Sequence, residues 1–368
     1  MNAKERVRIA MRGGRADRVP FIPQICVPHA ARVLGLPFEE TLLDVVKNPL
    51  RMNRLTFECV KMYGVDGLRA WLPGEPQDVV KVGEYWYGRD PQTGEVLGRV
   101  DFEGGGGVVP SEEPTIETDE DIDAITIPTV EEIARSGKLD GIQEIISEAG
   151  EDYFVISAPP AFTVEELTWM RGKMQAMIDL YDRPDFIHKY LEKAYAISIN
   201  HAKALIDINI DGLMIADTYG GVVAPHHFRE FCQAYWIRWV KEMRAYNPDV
   251  IIYLHICGHS SHLFEMMADT GVDCIEPLDN LGGVSVADAK ARVGDRVALM
   301  GGMNTYRLAH GTLEEVIADT ERCLSEGGPN GGYLLASGDM PPTETSVEKV
   351  RAMLEMAKAY RYEARVSA

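Results

Sequence analysis

His255 and Cys257 stand two residues apart where a β-branched run, Val250-Ile-Ile-Tyr-Leu-His-Ile-Cys-Gly-His259, comes to its end. Extended backbone repeats its side-chain direction every second residue, so imidazole and thiol face the same side, and Gly258 lets the chain turn away immediately after. An imidazole nitrogen and a soft sulfur converging at a strand end make half of a zinc site. Other apolar runs end on groups that could complete such a site. Glu276 closes the run 272–276 and Asp339 follows 332–337, so His255, Cys257, Glu276 and Asp339 form the candidate metal set. Asp217 and Tyr219 follow the run 212–216 as candidates for proton transfer and hydrogen-bond donation. Gln24, Trp71 and Asn304 follow other runs and are the candidate substrate contacts.

These residues need a scaffold that brings strand ends together. Eight apolar runs (19–24, 65–71, 153–157, 212–216, 250–255, 272–276, 297–301 and 332–337) alternate with amphipathic stretches such as 226–245, 262–268, 313–325 and 346–360. Near-continuous β-branched runs between helices indicate a parallel sheet covered on both faces. Eight units predict a single (β/α)8 TIM barrel spanning residues 1–368, with its active site at the C-terminal ends of the strands. Residues 74–150 are read as an insertion after the second strand. Within it, residues 84–100 predict a β-hairpin, while 104–107 and the acidic run 112–123 read as loop and solvated face.

Bulk properties narrow the function. There are 37 basic and 57 acidic residues among 368, a net charge of −20, which argues against nucleic acid or an anionic membrane as partner. Six cysteines lie scattered without C-x-x-C spacing, fitting a reducing compartment rather than a disulfide framework. No apolar run approaches the ~18 residues of a transmembrane helix, and the first residues lack the apolar centre of a signal peptide, so a cytoplasmic protein is expected. Neither a phosphate-binding Walker loop nor a Gly-x-Gly-x-x-Gly turn after a strand is present.

Several segments together resemble the uroporphyrinogen decarboxylase superfamily, whose members share a (β/α)8 barrel. They are Arg18-Val-Pro, Ala158-Pro-Pro-Ala-Phe-Thr163, Ile215-Ala-Asp-Thr-Tyr-Gly-Gly221, Ala224-Pro-His-His-Phe-Arg-Glu-Phe231 and Met340-Pro-Pro-Thr-Glu-Thr-Ser-Val-Glu-Lys-Val-Arg351. Decarboxylases of the superfamily carry an arginine-bearing segment near the N-terminus that holds the porphyrinogen carboxylates. Here that stretch reads Phe21-Ile-Pro-Gln-Ile-Cys-Val-Pro-His29, without arginine. The corrinoid-linked methyltransferases instead carry His-x-Cys at the end of the fifth strand as zinc ligands, which His255-Ile-Cys257 matches. Thiol-methylating members add a second cysteine before the final Pro-Pro; this chain reads Ser337-Gly-Asp-Met-Pro-Pro342 there.

The resemblance therefore implies a zinc-dependent methyltransferase. A site with fewer thiolates leaves zinc a stronger Lewis acid, which favours demethylating a methoxyaromatic ether or a methylamine. Trp71, Trp169 and Tyr219 could contact a quaternary ammonium donor. In such an enzyme Asp217 could orient a zinc ligand or protonate the leaving group, and Tyr219 could donate to an oxyanion. The Asp-x-His-x-x-Gly signature of corrinoid carriers is absent, so the corrinoid (cobalamin) is expected on a separate docking protein. Dimerisation is a further implication of the resemblance. Three alternatives stay open: a thiol-methylating corrinoid methyltransferase, a metal-free lyase acting on a small acid, and a non-catalytic barrel with a structural metal.

Overall fold

The computed structural model describes residues 1–103, 105–110 and 113–362; Gly104, Ser111 and Glu112, in the glycine-rich stretch and at the start of the acidic run, lie outside them. In chain order the strands are β1 (Gly67–Arg69), β2 (Asp78–Val82), β3 (Tyr85–Arg89), β4 (Val96–Val100), β5 (Val108–Pro110), β6 (Phe154–Ser157), β7 (Gly212–Ala216), β8 (Ile251–His255), β9 (Cys274–Leu278), β10 (Ala298–Met303) and β11 (Tyr333–Ser337). β1 and β6 to β11 form one parallel sheet in which spatial order follows chain order. With helices between most successive strands, this is the winding of a (β/α) barrel.

Seven of the eight expected runs are strands. The run at 19–24 takes part as a single parallel bridge, Phe21 to Leu335. Ile22 N donates to Leu335 O (3.1 Å), Leu335 N to Pro20 O (2.9 Å) and Asp66 N to Phe21 O (2.9 Å), so residues 20–22 join β11 to the start of β1. Pro20 and Pro23 carry no N–H, and a ladder cannot extend through them. The junction is fixed instead by Asp66, buried at 2 % exposure. Its carboxylate accepts from Arg6 Nη1 (2.7 Å), from both Arg18 guanidinium nitrogens (2.8 Å each) and from Phe21 N (2.8 Å).

Strand alternation sorts the core into two layers. Phe154, Ile156, Met214, Ile251, Tyr253, Met300, Leu334 and Ala336 fill the barrel interior with Ile22. Val7, Ala10 and Met11 of the helix Ala3–Met11 belong to the same interior cluster. The intervening residues, among them Val155, Leu213, Ile252, Leu254, Ile275, Leu299 and Leu335, pack outward in the larger cluster beneath the helices. Each fully buried aliphatic or aromatic side chain of this kind contributes roughly 1.5–3 kcal/mol.

The expected hairpin is the centre of a four-stranded antiparallel sheet, β2-β3-β4-β5. β2 and β3 meet at Val82–Tyr85 around Gly83 (φ 61°), and β3 and β4 are joined by a turn in which Asp90 Oδ1 accepts from Gln92 N and Thr93 N (2.7 Å each). Val100, Trp86 and Val108 pack on Leu43 and Val46 of the helix Phe38–Lys47. In the described part of the acidic run, Asp121 caps the helix Asp119–Ala124 in a capping box with Thr118, a more specific role than a solvated face.

The helical expectations hold with two refinements: the stretch 262–268 is a 3-10 turn Ser261–Leu263 followed by the helix Phe264–Ala268. The stretch 226–245 is the helix Pro225–Phe228, a π turn Arg229–Gln233 and the helix Ala234–Tyr246. The stretches 313–325 and 346–360 are Leu313–Gly327 and Val347–Ala359. No helix among the described residues is long and apolar enough to cross a membrane.

Candidate functional site

The barrel interior changes character toward the C-terminal strand ends. Above the apolar layers of Ile156, Met214 and Met300, the inward positions carry Arg69 on β1, Tyr253 and His255 on β8, and Glu276 on β9. Parallel register places His255 beside Glu276 on neighbouring strands. Cys257 follows β8, where the chain leaves the sheet at Gly258 (φ 73°). That turn is locked from the next loop: Asp279 Oδ2 accepts from Gly258 N (3.2 Å), and Gly282 passes so close that a Cβ there would lie 2.3 Å from the Gly258 carbonyl carbon.

Four side chains form a continuous buried line. Arg69 Nη2 meets Glu276 Oε1 at 2.6 Å, Glu276 Oε2 is hydrogen-bonded to His255 Nδ1, and His255 Nε2 lies 2.9 Å from Cys257 Sγ. Arg69, Glu276 and His255 are each at least nine-tenths buried. Cys257 is half-exposed, whereas Cys26, Cys59, Cys232, Cys274 and Cys323 are buried. Burial opposes charge on Glu276, but Arg69 and His255 outweigh it and hold the carboxyl below its usual range. Burial likewise works against an imidazolium, yet Cys257 and Glu276 together push His255 well above the ordinary histidine value.

Both Glu276 oxygens are engaged, one by Arg69 and one by His255, so in this structure the carboxylate holds the imidazole in place. Asp339 is half-buried and its Oδ1 accepts from Met340 N (2.7 Å). Among the described residues no group of three or more His, Cys, Asp or Glu side chains could hold a metal ion. The available donors are His255 Nε2 and Cys257 Sγ, a nitrogen and a sulfur suited to zinc. At 2.9 Å they are in hydrogen-bonding contact, and to share a tetrahedral zinc they would open to roughly 3.6 Å. The pair thus supplies two of the three protein donors that a catalytic zinc site uses.

Asp217 does not face the mouth. Alternation along β7 sends Met214 inward, with Gly212 and Ala216 on the same parity, so Asp217 belongs to the outer side and is fully buried there. Its Oδ2 accepts from Thr163 Oγ1 (2.6 Å) and Cys232 Sγ (3.5 Å), and its Oδ1 from Gly220 N (2.6 Å), which ties down the turn Tyr219–Gly221. Cys232 reaches it from the π turn. The backbone N of Asp217 donates to His255 O (3.0 Å), so the residue braces the metal-capable strand end from behind. Tyr219 is half-buried at the same rim.

Burial, assisted by the nearby charge of Glu165 and opposed by the Thr163 and Gly220 hydrogen bonds, raises the Asp217 carboxyl to about 7. The protonated form is favoured by folding, so this group adds stability below its unfolded value near 3.8 that is lost as pH rises toward 7. Stability from this group is therefore expected to decline from pH 5 to pH 8. Urea unfolding of the wild type and of Asp217→Asn at both values checks this. The variant should lack that part of the slope, and parallel pH dependences would refute the assignment.

The substrate candidates separate. Gln24 is buried on the inward parity of Ile22, and its Oε1 has no hydrogen-bond partner among the described residues. Trp71 is half-buried against the interior cluster, with its backbone clamped by Asn53, whose amide donates to Trp71 O and accepts from Trp71 N (2.8 Å each). Asn304 serves the fold: it caps the helix Thr305–His310 by accepting from Arg307 N (3.0 Å) and donates to Asn280 Oδ1 (2.9 Å). Trp169 lines a hollow with Val96, Leu97 and Val108 of the inserted sheet. Arg69 and Thr163 were not assigned roles from sequence. A charged residue inside the apolar run 65–71 was the available signal for Arg69.

Hollows of about 720 and 400 Å³ open on the opposite, N-terminal face, around Arg12, Asp249 and Arg296 and around Lys4, Arg8 and Asp211. Catalytic groups of a barrel of this kind gather at the other end, and the converging donors, not these hollows, mark the candidate site.

Residues 94–360 match the family model described as Uroporphyrinogen decarboxylase (URO-D). Similar curated proteins include the uroporphyrinogen decarboxylases of Psychromonas ingrahamii, 31 % identical over 183 residues (48 % of this chain, 50 % of that protein), and Vibrio vulnificus, 30 % identical over 187 residues (49 % and 52 %). The match thus spans about half the length of these relatives. Among solved structures, a methyltransferase from Methanosarcina mazei superposes with a TM-score of 0.72 at 20 % identity, covering 98 % of this chain and 99 % of that one, a likeness of fold.

Proposed function

Because this chain belongs to the uroporphyrinogen decarboxylase family, we propose that it works in that family's methyltransferase mode, moving a methyl group from a small methoxyaromatic ether or methylamine to a separate corrinoid protein. The observation that carries the reading is the convergence of His255 Nε2 and Cys257 Sγ at the barrel mouth, with His255 fixed from behind by Glu276. Carboxylate–histidine pairs of this kind orient metal-ligating imidazoles. The full-length likeness to a methyltransferase fold is consistent with it. Decarboxylation of a polycarboxylate is disfavoured, since the interior cation Arg69 is already matched by Glu276 and the segment Phe21–His29 brings no arginine.

His255 and Cys257 would hold zinc, whose Lewis acidity would polarise the heteroatom that carries the methyl group. The protein's own residues supply placement and protons. Gln24 and Trp71 would wall the approach, and the Asp217-anchored turn would present Tyr219 to the substrate. As the methyl group departs, an ether oxygen retains the bonding electron pair and needs a proton, which the Tyr219 hydroxyl or solvent at the rim can deliver, whereas a quaternary ammonium nitrogen leaves as a neutral amine.

The test is a transfer assay on purified protein with its metal content measured. About one zinc per chain and methylation of a reduced corrinoid protein by a methoxyaromatic or a methylamine are the expected results. Metal-independent release of carbon dioxide from a small acid, with no methylated corrinoid, would replace this reading by the lyase. Methylation of a thiol from methylcorrinoid, without demethylation of either donor class, would favour the thiol-methylating alternative.

A further inference from the structure

Arg69 sits where an arginine is costly. It lies within the short buried strand β1, its side chain is 4 % exposed, and its Nη1 has no hydrogen-bond partner among the described residues. Around the ring of strands, β1 and β9 stand on opposite walls, with β6, β7 and β8 between them on one side and β10, β11 and residues 20–22 on the other. The guanidinium therefore spans the interior, passing over the Tyr253 ring (5.6 Å to its centroid), to reach Glu276. A buried ion pair is weak evidence for stability, because apolar residues of similar volume commonly serve packing as well or better. The pair has a direction, however. Arg69 takes Oε1 of Glu276 and thereby turns Oε2 onto His255 Nδ1, leaving Nε2 to face Cys257.

We propose that Arg69 is a positioning residue for the His255–Cys257 pair: by gripping Glu276 from the opposite wall it fixes the carboxylate rotamer that holds a proton on His255 Nδ1 and turns Nε2 toward Cys257, so that Nε2 is the nitrogen that would give up its proton to a metal. The proposal rests on the methyl-transfer reading for its functional meaning, though its geometry stands apart from it. An arginine suits the task better than a lysine, since a planar fork constrains the carboxylate while a single ammonium can swivel.

The experiment uses the full chain, stripped of metal, and two readouts that require neither methyl donor nor corrinoid. Cobalt(II) titration followed by absorption gives metal affinity, with the sulfur-to-cobalt band reporting Cys257. Nitrogen-15 NMR of histidine-labelled protein, recorded above the pH at which His255 loses its extra proton, gives the tautomer of the neutral ring. Arg69→Met is expected to bind cobalt 10- to 100-fold more weakly, the usual cost of losing an outer partner, and to show mixed His255 tautomers. Arg69→Lys should recover part of the affinity. If Arg69→Met fails to fold, the double variant Arg69→Met with Glu276→Gln removes both buried charges and is expected to bind as weakly. Wild-type affinity and an unchanged His255 tautomer in a folded Arg69→Met or double variant would overturn the proposal. Should the wild type bind no cobalt yet keep a single Nδ1-protonated tautomer that Arg69→Met loses, the positioning role stands and the metal-dependent reading falls.

Discussion

Glu276→Ala is expected to cost about 3 to 5 kcal/mol, a large fraction of the roughly 5–15 kcal/mol that holds a typical native chain folded. The carboxylate is 1 % exposed and holds two partners at once, Arg69 Nη2 and His255 Nδ1. Alanine abandons a guanidinium inside the barrel with neither water nor counter-charge, and removing one partner of a buried pair is far more damaging than never having had the pair. Glu276→Gln keeps the shape and one acceptor, so it should lose clearly less while still loosening His255. Urea unfolding of the three proteins gives the order wild type, then Gln, then Ala. An alanine variant within 1 kcal/mol of wild type would mean that the line from Arg69 to Cys257 does not bear on the fold.

The same residues show what sequence could and could not reveal. Near-continuous runs such as Ile251–His255 and Gly212–Ala216 announced a parallel sheet because both of their faces are covered, and the barrel follows from their number and order. The run at 19–24 has the same composition, but its prolines reduce it to a bridge; a count of hydrophobic runs does not register missing N–H donors. At the site, the direction shared by His255 and Cys257 was legible from a period of two. The same period sends Asp217 outward once Met214 faces in, so a polar residue just past a strand need not belong to the mouth. Glu276 closes its apolar run, but the partners it engages depend on Arg69 from the far wall. No local pattern shows that a carboxylate already has two claimants.

Cys257→Ala carries the largest expected effect on function with the smallest on the fold. Of the six cysteines it is the half-exposed one, and the turn around it is held by Asp279 and the close approach of Gly282 to Gly258, not by the thiol. Stability should therefore change by less than about 1 kcal/mol, in line with substitutions that open no buried cavity. The sulfur, however, is one of two converging donors, and a pair reduced to His255 alone cannot retain zinc. If the metal contributes several kcal/mol to polarising the leaving heteroatom, and each 1.36 kcal/mol is tenfold in rate, transfer to the corrinoid protein should fall about a thousandfold or more. Cys257→Ser separates metal retention from simple steric change: its hydroxyl occupies the same place but is a much poorer zinc ligand than a thiolate, so it should follow alanine in losing both metal and activity. Zinc content, urea stability and transfer rate measured on the same preparations distinguish the causes. A folded Cys257→Ala that transfers methyl groups at the wild-type rate would remove the metal pole from the mechanism and leave His255, with Glu276 behind it, as an acid–base group of a metal-free enzyme.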